Sequence, residues 1–138
     1  MAGRIDAYAD TAAFIAALDR SDSSHALFAR LFADPPRLLT SALVVAEGHG
    51  WFLRRYDRNR ALQFLNFLAT LPMLEVKAFD SDAIYKVARL VRKFSDQNLT
   101  LADAHGLMLM TERRIGLCWS TDRHMTLTGA VRVGYPPA

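Results

Sequence analysis

Asp10, Glu47, Asp103 and Asp122 are the residues of this sequence whose type and setting could do chemistry. They stand in Tyr8-Ala9-Asp10-Thr11, Val45-Ala46-Glu47-Gly48, Leu101-Ala102-Asp103-Ala104 and Ser120-Thr121-Asp122-Arg123, each where an element begins or faces inward. Carboxylates are rarely set on buried or convergent surfaces unless something positive meets them. Four brought together would repel one another and take up protons. A Mg²⁺ or Mn²⁺ ion resolves that conflict, because hard cations favour carboxylate oxygens. Such an ion activates water and stabilises negative charge on phosphate, which is the chemistry of phosphodiester hydrolysis.

Each acid also has a local explanation to be weighed. Asp10 could simply cap the helix that starts at Thr11. Thr100-Leu101-Ala102-Asp103 has the spacing of a capping box, with Asp in place of the usual Glu or Gln. Asp122 could be an ordinary turn residue. Glu47 is harder to explain locally. On a helix its neighbours one turn away are Leu43, Val44, Gly50 and Trp51, so no ion pair at helical spacing exists for it. Buried there without a partner it would cost several kcal/mol, on the order of a buried unpaired charge. Asp103 likewise has only Leu99, Thr100, Gly106 and Leu107 as helical neighbours.

The elements that must position these residues follow from periodicity and punctuation. Arg4 to Ala9 reads as a strand and Thr11 to Asp19 as a helix. His25 to Ala33 is a second helix with Leu27, Phe28, Leu31 and Phe32 on one side, stopped by Asp34-Pro35-Pro36. Arg37 to Thr40 is a strand, and Ser41 caps a helix running to about Tyr56. Arg58 to Ala69 is helical, Met73 to Lys77 is a strand, and Asp80 or Ser81 caps an amphipathic helix with Ala83, Val87, Leu90, Val91 and Phe94 on one face. Thr100 caps a last helix to about Arg114. Leu117 to Ser120 and Val131 to Val133 are strands. The order β-α-α-β-α-α-β-α-α-β-β predicts an α/β fold with a parallel sheet covered on both faces. Sites in such sheets lie beyond the carboxyl ends of the strands, where Asp10 and Asp122 fall.

Composition agrees with one globular domain of ordinary size. The chain has 138 residues, 51% hydrophobic and 22% charged, which fits one folded domain over residues 1–138 and not a disordered chain. No apolar run approaches the roughly 18 residues of a membrane span, and no signal-peptide pattern opens the sequence, so a cytoplasmic protein with no membrane association is expected. The single Cys118 lies in an apolar run and reads as a small buried hydrophobe. The net charge of +3 is too mild to indicate nucleic acid by itself. Its distribution says more: Arg54, Arg55, Arg58 and Arg60, then Arg89, Arg92 and Lys93, then Arg113 and Arg114 would rim an acidic floor if the acids converge.

Taken in order, four segments resemble the PIN-domain ribonucleases, especially the VapC toxins of bacterial toxin–antitoxin pairs. They are Ala9-Asp10-Thr11-Ala12-Ala13-Phe14-Ile15-Ala16, Leu39-Thr40-Ser41-Ala42-Leu43-Val44-Val45-Ala46-Glu47, Leu99-Thr100-Leu101-Ala102-Asp103-Ala104 and Ser120-Thr121-Asp122-Arg123-His124-Met125. No one segment is specific; the four in order are. The resemblance implies a three-layer α/β/α fold with a central parallel sheet. It implies that Asp10, Glu47, Asp103 and Asp122 bind Mg²⁺ or Mn²⁺, that Ser120 orients the site, and that Thr11 is the small hydroxyl residue after the first acid. It further implies cleavage of single-stranded or loop RNA, usually tRNA or rRNA, with a 5′-phosphate and a 3′-hydroxyl as products, inhibition by a cognate antitoxin, and a homodimer. Met125 replaces a frequent aromatic residue, Asp6 lies in an otherwise apolar strand, and Gly48 and Gly50 loosen the helix of Glu47 by about 1 kcal/mol each.

Among the histidines, His49 and His105 lie two residues from an acid and should point away from it. His25 reads as a surface or cap residue, and His124 could contact phosphate. Trp51, Phe52, Phe64 and Phe67 could supply a dimer surface or belong to the core. Two rival readings are weaker. A receiver-like or dehalogenase-like phosphotransfer site would want a second Asp where Ala12 stands, or an acidic pair and a late Lys. A catalytically silent PIN fold that binds RNA or protein would not need all four acids.

Overall fold

The computed structural model describes residues 3–133. Five strands form one sheet: β1 (Ala7–Ala9), β2 (Leu38–Ser41), β3 (Leu74–Lys77), β4 (Leu117–Trp119) and β5 (Val131–Val133), in the order β3-β2-β1-β4-β5 with every pairing parallel. Six α-helices connect them: α1 (Thr11–Leu18), α2 (His25–Ala33), α3 (Ala42–Arg55), α4 (Arg58–Ala69), α5 (Ser81–Lys93) and α6 (Leu101–Glu112). The predicted order holds throughout, with one element unforeseen, a 3-10 turn at Arg123–Thr126. The first strand is shorter than its apolar run suggested. Asp6 lies outside it, where its carboxylate accepts from the Arg37 N–H at 3.0 Å.

Side-chain alternation along the strands divides the core in two. Ala7, Ala9, Leu38 and Trp119 face α1, α2, α3 and α4, packing with Phe14, Phe28, Phe32, Val44, Phe52 and Phe64. Tyr8, Leu39 and Cys118 face α5 and α6, packing with Val87, Ala104, Leu107 and Met125. This is the three-layer α/β/α arrangement. The central strands are buried on both faces, which explains why they read as continuous apolar runs.

Two glycines are required by close approach. A Cβ at Gly48 would lie 2.7 Å from the Phe64 ring, so Gly48 lets α3 press on α4. The sequence reading of Gly48 as a loosening residue is therefore corrected: it permits a tight helix pair. A Cβ at Gly106 would lie 2.7 Å from Met125 Cε and 2.8 Å from the Tyr8 ring, which is how α6 sits close to β1 and the 3-10 turn.

Candidate metal centre at the carboxyl edge of the sheet

The chain runs from β1 outward through β2 to β3, then crosses to the other side of β1 for β4 and β5. The carboxyl ends of β1 and β4 thus mark the point where the winding reverses, and a crevice opens there in sheets of this kind. Asp10 follows β1 and Ser120 follows β4. The Asp10 N–H donates to the Trp119 carbonyl at 3.1 Å, which holds the two strand ends together.

Ser120 is fully buried, and its hydroxyl joins two of the acids. It donates to Asp10 Oδ2 at 2.8 Å and accepts the Asp122 N–H at 2.9 Å. Asp122 Oδ1 in turn accepts the His124 N–H at 2.9 Å, starting the 3-10 turn. Asp122 is a turn residue, as its local explanation held, and it also faces the other acids. Met125, fully buried in the second core, anchors the turn from below.

Asp103 arrives from the amino end of α6. The capping box is present: Thr100 Oγ1 accepts the Asp103 N–H and Asp103 Oδ2 accepts the Thr100 N–H, both at 3.1 Å. Asp103 therefore serves its helix with one oxygen while it lies in the acidic cluster. Asp10 differs. It occupies the N-cap position of α1 yet makes no side-chain cap hydrogen bond. Its carboxylate is directed to Ser120 instead.

Electrostatics mark the centre as short of positive charge. Burial pushes Asp10 up to about 7, a shift that the Ser120 hydroxyl moderates and the charges of Asp103 and Asp122 increase. Asp103 is also raised, first by burial, then by Asp122 and Glu47, with the Thr100 N–H opposing. Glu47 is exposed on α3, and its charge reaches Asp103. All four predicted acids thus share one region, with Asp10, Asp103 and Asp122 most tightly associated and Glu47 outermost.

His124 is the residue that sequence reasoning undervalued. Its Nδ1 lies 3.1 Å from Asp122 Oδ1 and 3.8 Å from Asp103 Oδ2. Two of the other histidines are engaged elsewhere: His105 Nδ1 lies 2.6 Å from Ser41 Oγ, and His25 Nδ1 lies 2.7 Å from the Ala16 carbonyl oxygen, linking α2 to α1. The only advance signal for His124 was its place two residues after Asp122. Asp122 is the extended N-cap residue just before the 3-10 turn, so the two-residue step is not a helical one and the ring comes to lie beside the acid.

The donor set fits a divalent cation. The charges that reach Asp10 most strongly are negative, hard carboxylate oxygens converge, and the buried Thr11 hydroxyl next to Asp10 has no hydrogen-bond partner among the described residues. The basic rim is thinner than the sequence implied. Arg60 donates to the Leu18 carbonyl and lies over the Tyr56 ring, and Arg113 pairs with Glu75 at 3.0 Å, so both brace the fold. Arg54, Arg55 and Arg58 are exposed. Phe52 and Phe64 are core residues, and Trp51 and Phe67 are partly buried against that core. No described helix is long and apolar enough to cross a membrane. Cys118 is buried, as expected.

Known proteins share this architecture. VapC20 of Mycobacterium tuberculosis, a toxin that cleaves the sarcin-ricin loop, superposes with a TM-score of 0.84 at 19% identity, over 93% of this chain and 98% of that one. PAE2754 of Pyrobaculum aerophilum superposes with a TM-score of 0.66 at 17% identity, over 96% and 92%. No curated protein is significantly similar in sequence. The sequence itself matches the PIN domain over residues 7–130, a span that takes in every acid of the cluster together with Ser120, and the chain belongs to the PIN-domain family.

Proposed function

We propose that this chain, residues 1–138 acting as one nuclease domain, is an endoribonuclease dependent on Mg²⁺ or Mn²⁺. The observation that carries this reading is the Ser120 bridge. One buried hydroxyl fixes Asp10 and Asp122 side by side, next to Asp103, and the charges that reach Asp10 are those of the other two acids. Asp10, Asp103 and Asp122 would hold the ion, and Glu47 would reach it from the outer rim. When bound, the ion supplies an activated water and a counter-charge for the phosphate. Asp10 keeps its carboxylate aligned through Ser120, and Asp103 is fixed by its helix cap. Hydrolysis would leave a 5′-phosphate and a 3′-hydroxyl.

The similarity to VapC20 supports a toxin of a toxin–antitoxin pair acting in the cytoplasm on structured RNA, either rRNA or tRNA. A cognate antitoxin and a second copy of the chain in a homodimer are the partners this reading entails. The test is cleavage of total bacterial RNA with Mg²⁺, with Mn²⁺ and with chelator, beside Asp103→Asn, in which an amide oxygen can still serve the cap. Discrete products that require metal and vanish in the variant are expected. Salt-sensitive RNA binding with no metal-dependent products would instead establish a catalytically silent PIN fold.

A further inference from the structure

We propose that His124 is a direct ligand, alongside Asp103 and Asp122, in a mixed nitrogen–oxygen centre that takes Mn²⁺ in preference to Mg²⁺. The inference rests on the metal site proposed above and adds to it a donor that is not a carboxylate.

One candidate donor atom from each of Asp103, Asp122 and His124 lies within 4.8 Å of the others, a convergence of three side chains from two elements. Adjacent ligands on an octahedral ion with bonds of about 2.1 Å are about 3 Å apart, and opposite ligands about 4 Å. The separations of His124 Nδ1 from Asp122 Oδ1 and Asp103 Oδ2, 3.1 and 3.8 Å, fall in that range. Among the described residues, the hydrogen bond between His124 and Asp122 is made by the backbone N–H of His124, not by its ring. That bond and the buried Met125 fix the turn whatever the ring does. The imidazole is about a fifth exposed, open enough to admit an ion from solvent and covered enough to be held in place.

Chemistry then sets the preference. Mg²⁺ demands oxygen ligands in near-ideal octahedral geometry and keeps its waters. Imidazole nitrogen suits first-row transition ions, and Mn²⁺ accepts both nitrogen and carboxylate oxygen. A centre of carboxylates alone would lack this discrimination.

The experiment uses the whole chain, purified free of antitoxin, and Mn²⁺ and Mg²⁺ alone as probes. Pulsed electron paramagnetic resonance of bound Mn²⁺ reads directly coordinated imidazole nitrogen. Competition titration reads the two dissociation constants. The wild-type protein should show nitrogen coupling. His124→Gln should lose it and bind Mn²⁺ about tenfold more weakly, the scale on which metal sites respond to loss of a supporting group, with a smaller change for Mg²⁺. His124→Asp, which makes the donor set all oxygen, should restore affinity with the preference moved toward Mg²⁺. Binding of both ions without nitrogen coupling in the wild type, or equal weakening of both in His124→Gln, overturns the role of His124 and leaves the carboxylate site standing. Failure of the wild type to bind either ion overturns both.

Discussion

The two ends of α1 each carry a covered aspartate, and the two could hardly be treated more differently. Asp19, at the carboxyl end, is 5% exposed; Asp10, at the amino end, is 3% exposed. Asp19 Oδ1 accepts the Ser21 N–H at 3.0 Å, the Ser21 hydroxyl at 2.7 Å and the Tyr56 hydroxyl at 2.9 Å. Burial acts to raise it, but these bonds and the Arg60 charge outweigh that and hold it below the usual carboxylate range. Asp10 is pushed up to about 7. The helix dipole would predict the reverse order, since it favours an anion at the amino end. Partners and depth decide instead. Asp19 is covered but shallow, lining a cleft with Arg20, Tyr56 and Arg60, whereas Asp10 lies deep among like charges. A carboxylate fully supplied with donors is a brace. One left among other carboxylates is short of positive charge.

The sharpest way to break this contrast is to remove the charge at each end. Asp10→Asn should lower metal-dependent RNA cleavage by about a thousandfold, the scale of losing a preorganised charge-stabilising group. Asp19→Asn should leave cleavage within a few-fold of wild type. Equal losses at the two positions, measured by single-turnover cleavage on folded protein, would erase the distinction between brace and site.

Stability against pH is the next largest effect. The Asp10 carboxyl has its folded value raised to about 7 from an ordinary 3.8. A proton is therefore held more tightly in the folded state, and the metal-free protein loses stability as pH rises through this window. The loss attributable to Asp10 amounts to about 4 kcal/mol between full protonation and full ionisation. Thermal melts from pH 4 to 8 in chelator should show it. Asp10→Asn should flatten the slope, and Mn²⁺ or Mg²⁺ should restore stability at pH 8. Asp19 has the opposite sign, contributing stability above its unfolded value that is lost as pH falls through its lower folded value.

Ser120→Ala removes the bridge without removing an acid. Cleavage should fall about 10- to 100-fold, as for other groups that orient metal ligands. The metal-free protein should weaken more at pH 8 than at pH 5, because Asp10 loses its hydroxyl donor. An unchanged rate would show that the two acids hold their positions unaided.

Much of this molecule is legible from sequence, and the part that is not has a common cause. Strand and helix order could be read because it depends on local periodicity, and Asp103 because Thr100 lies only three residues away. Asp10 and Asp122 could be placed at an edge because parallel strands put their carboxyl ends together. The exposure of Glu47 could not be read: its neighbours along the helix are apolar, but α3 turns that position outward. The Arg60 and Arg113 contacts went unseen because their partners, Leu18 and Glu75, are distant in sequence. His124 was undervalued because its ring position depends on a four-residue 3-10 turn, too short to leave a periodic signal.

The brace at the other end of α1 offers the smaller effects. Asp19→Ala leaves the Tyr56 hydroxyl and Ser21 without their acceptor, and should destabilise the protein by about 2 kcal/mol, as for loss of hydrogen bonds to a charged group. Tyr56→Phe is the finer probe. It keeps the ring under the Arg60 guanidinium, 4.2 Å from its centroid, and deletes only the hydroxyl that donates to Asp19. One hydrogen bond to a carboxylate that retains two other donors should be worth about 1 kcal/mol. Chemical denaturation at pH 7 would resolve that, and cleavage should be unaffected. If Tyr56→Phe instead slowed cleavage without loosening the fold, the far end of α1 would be coupled to Asp10 through the helix, and the two ends could no longer be regarded as independent.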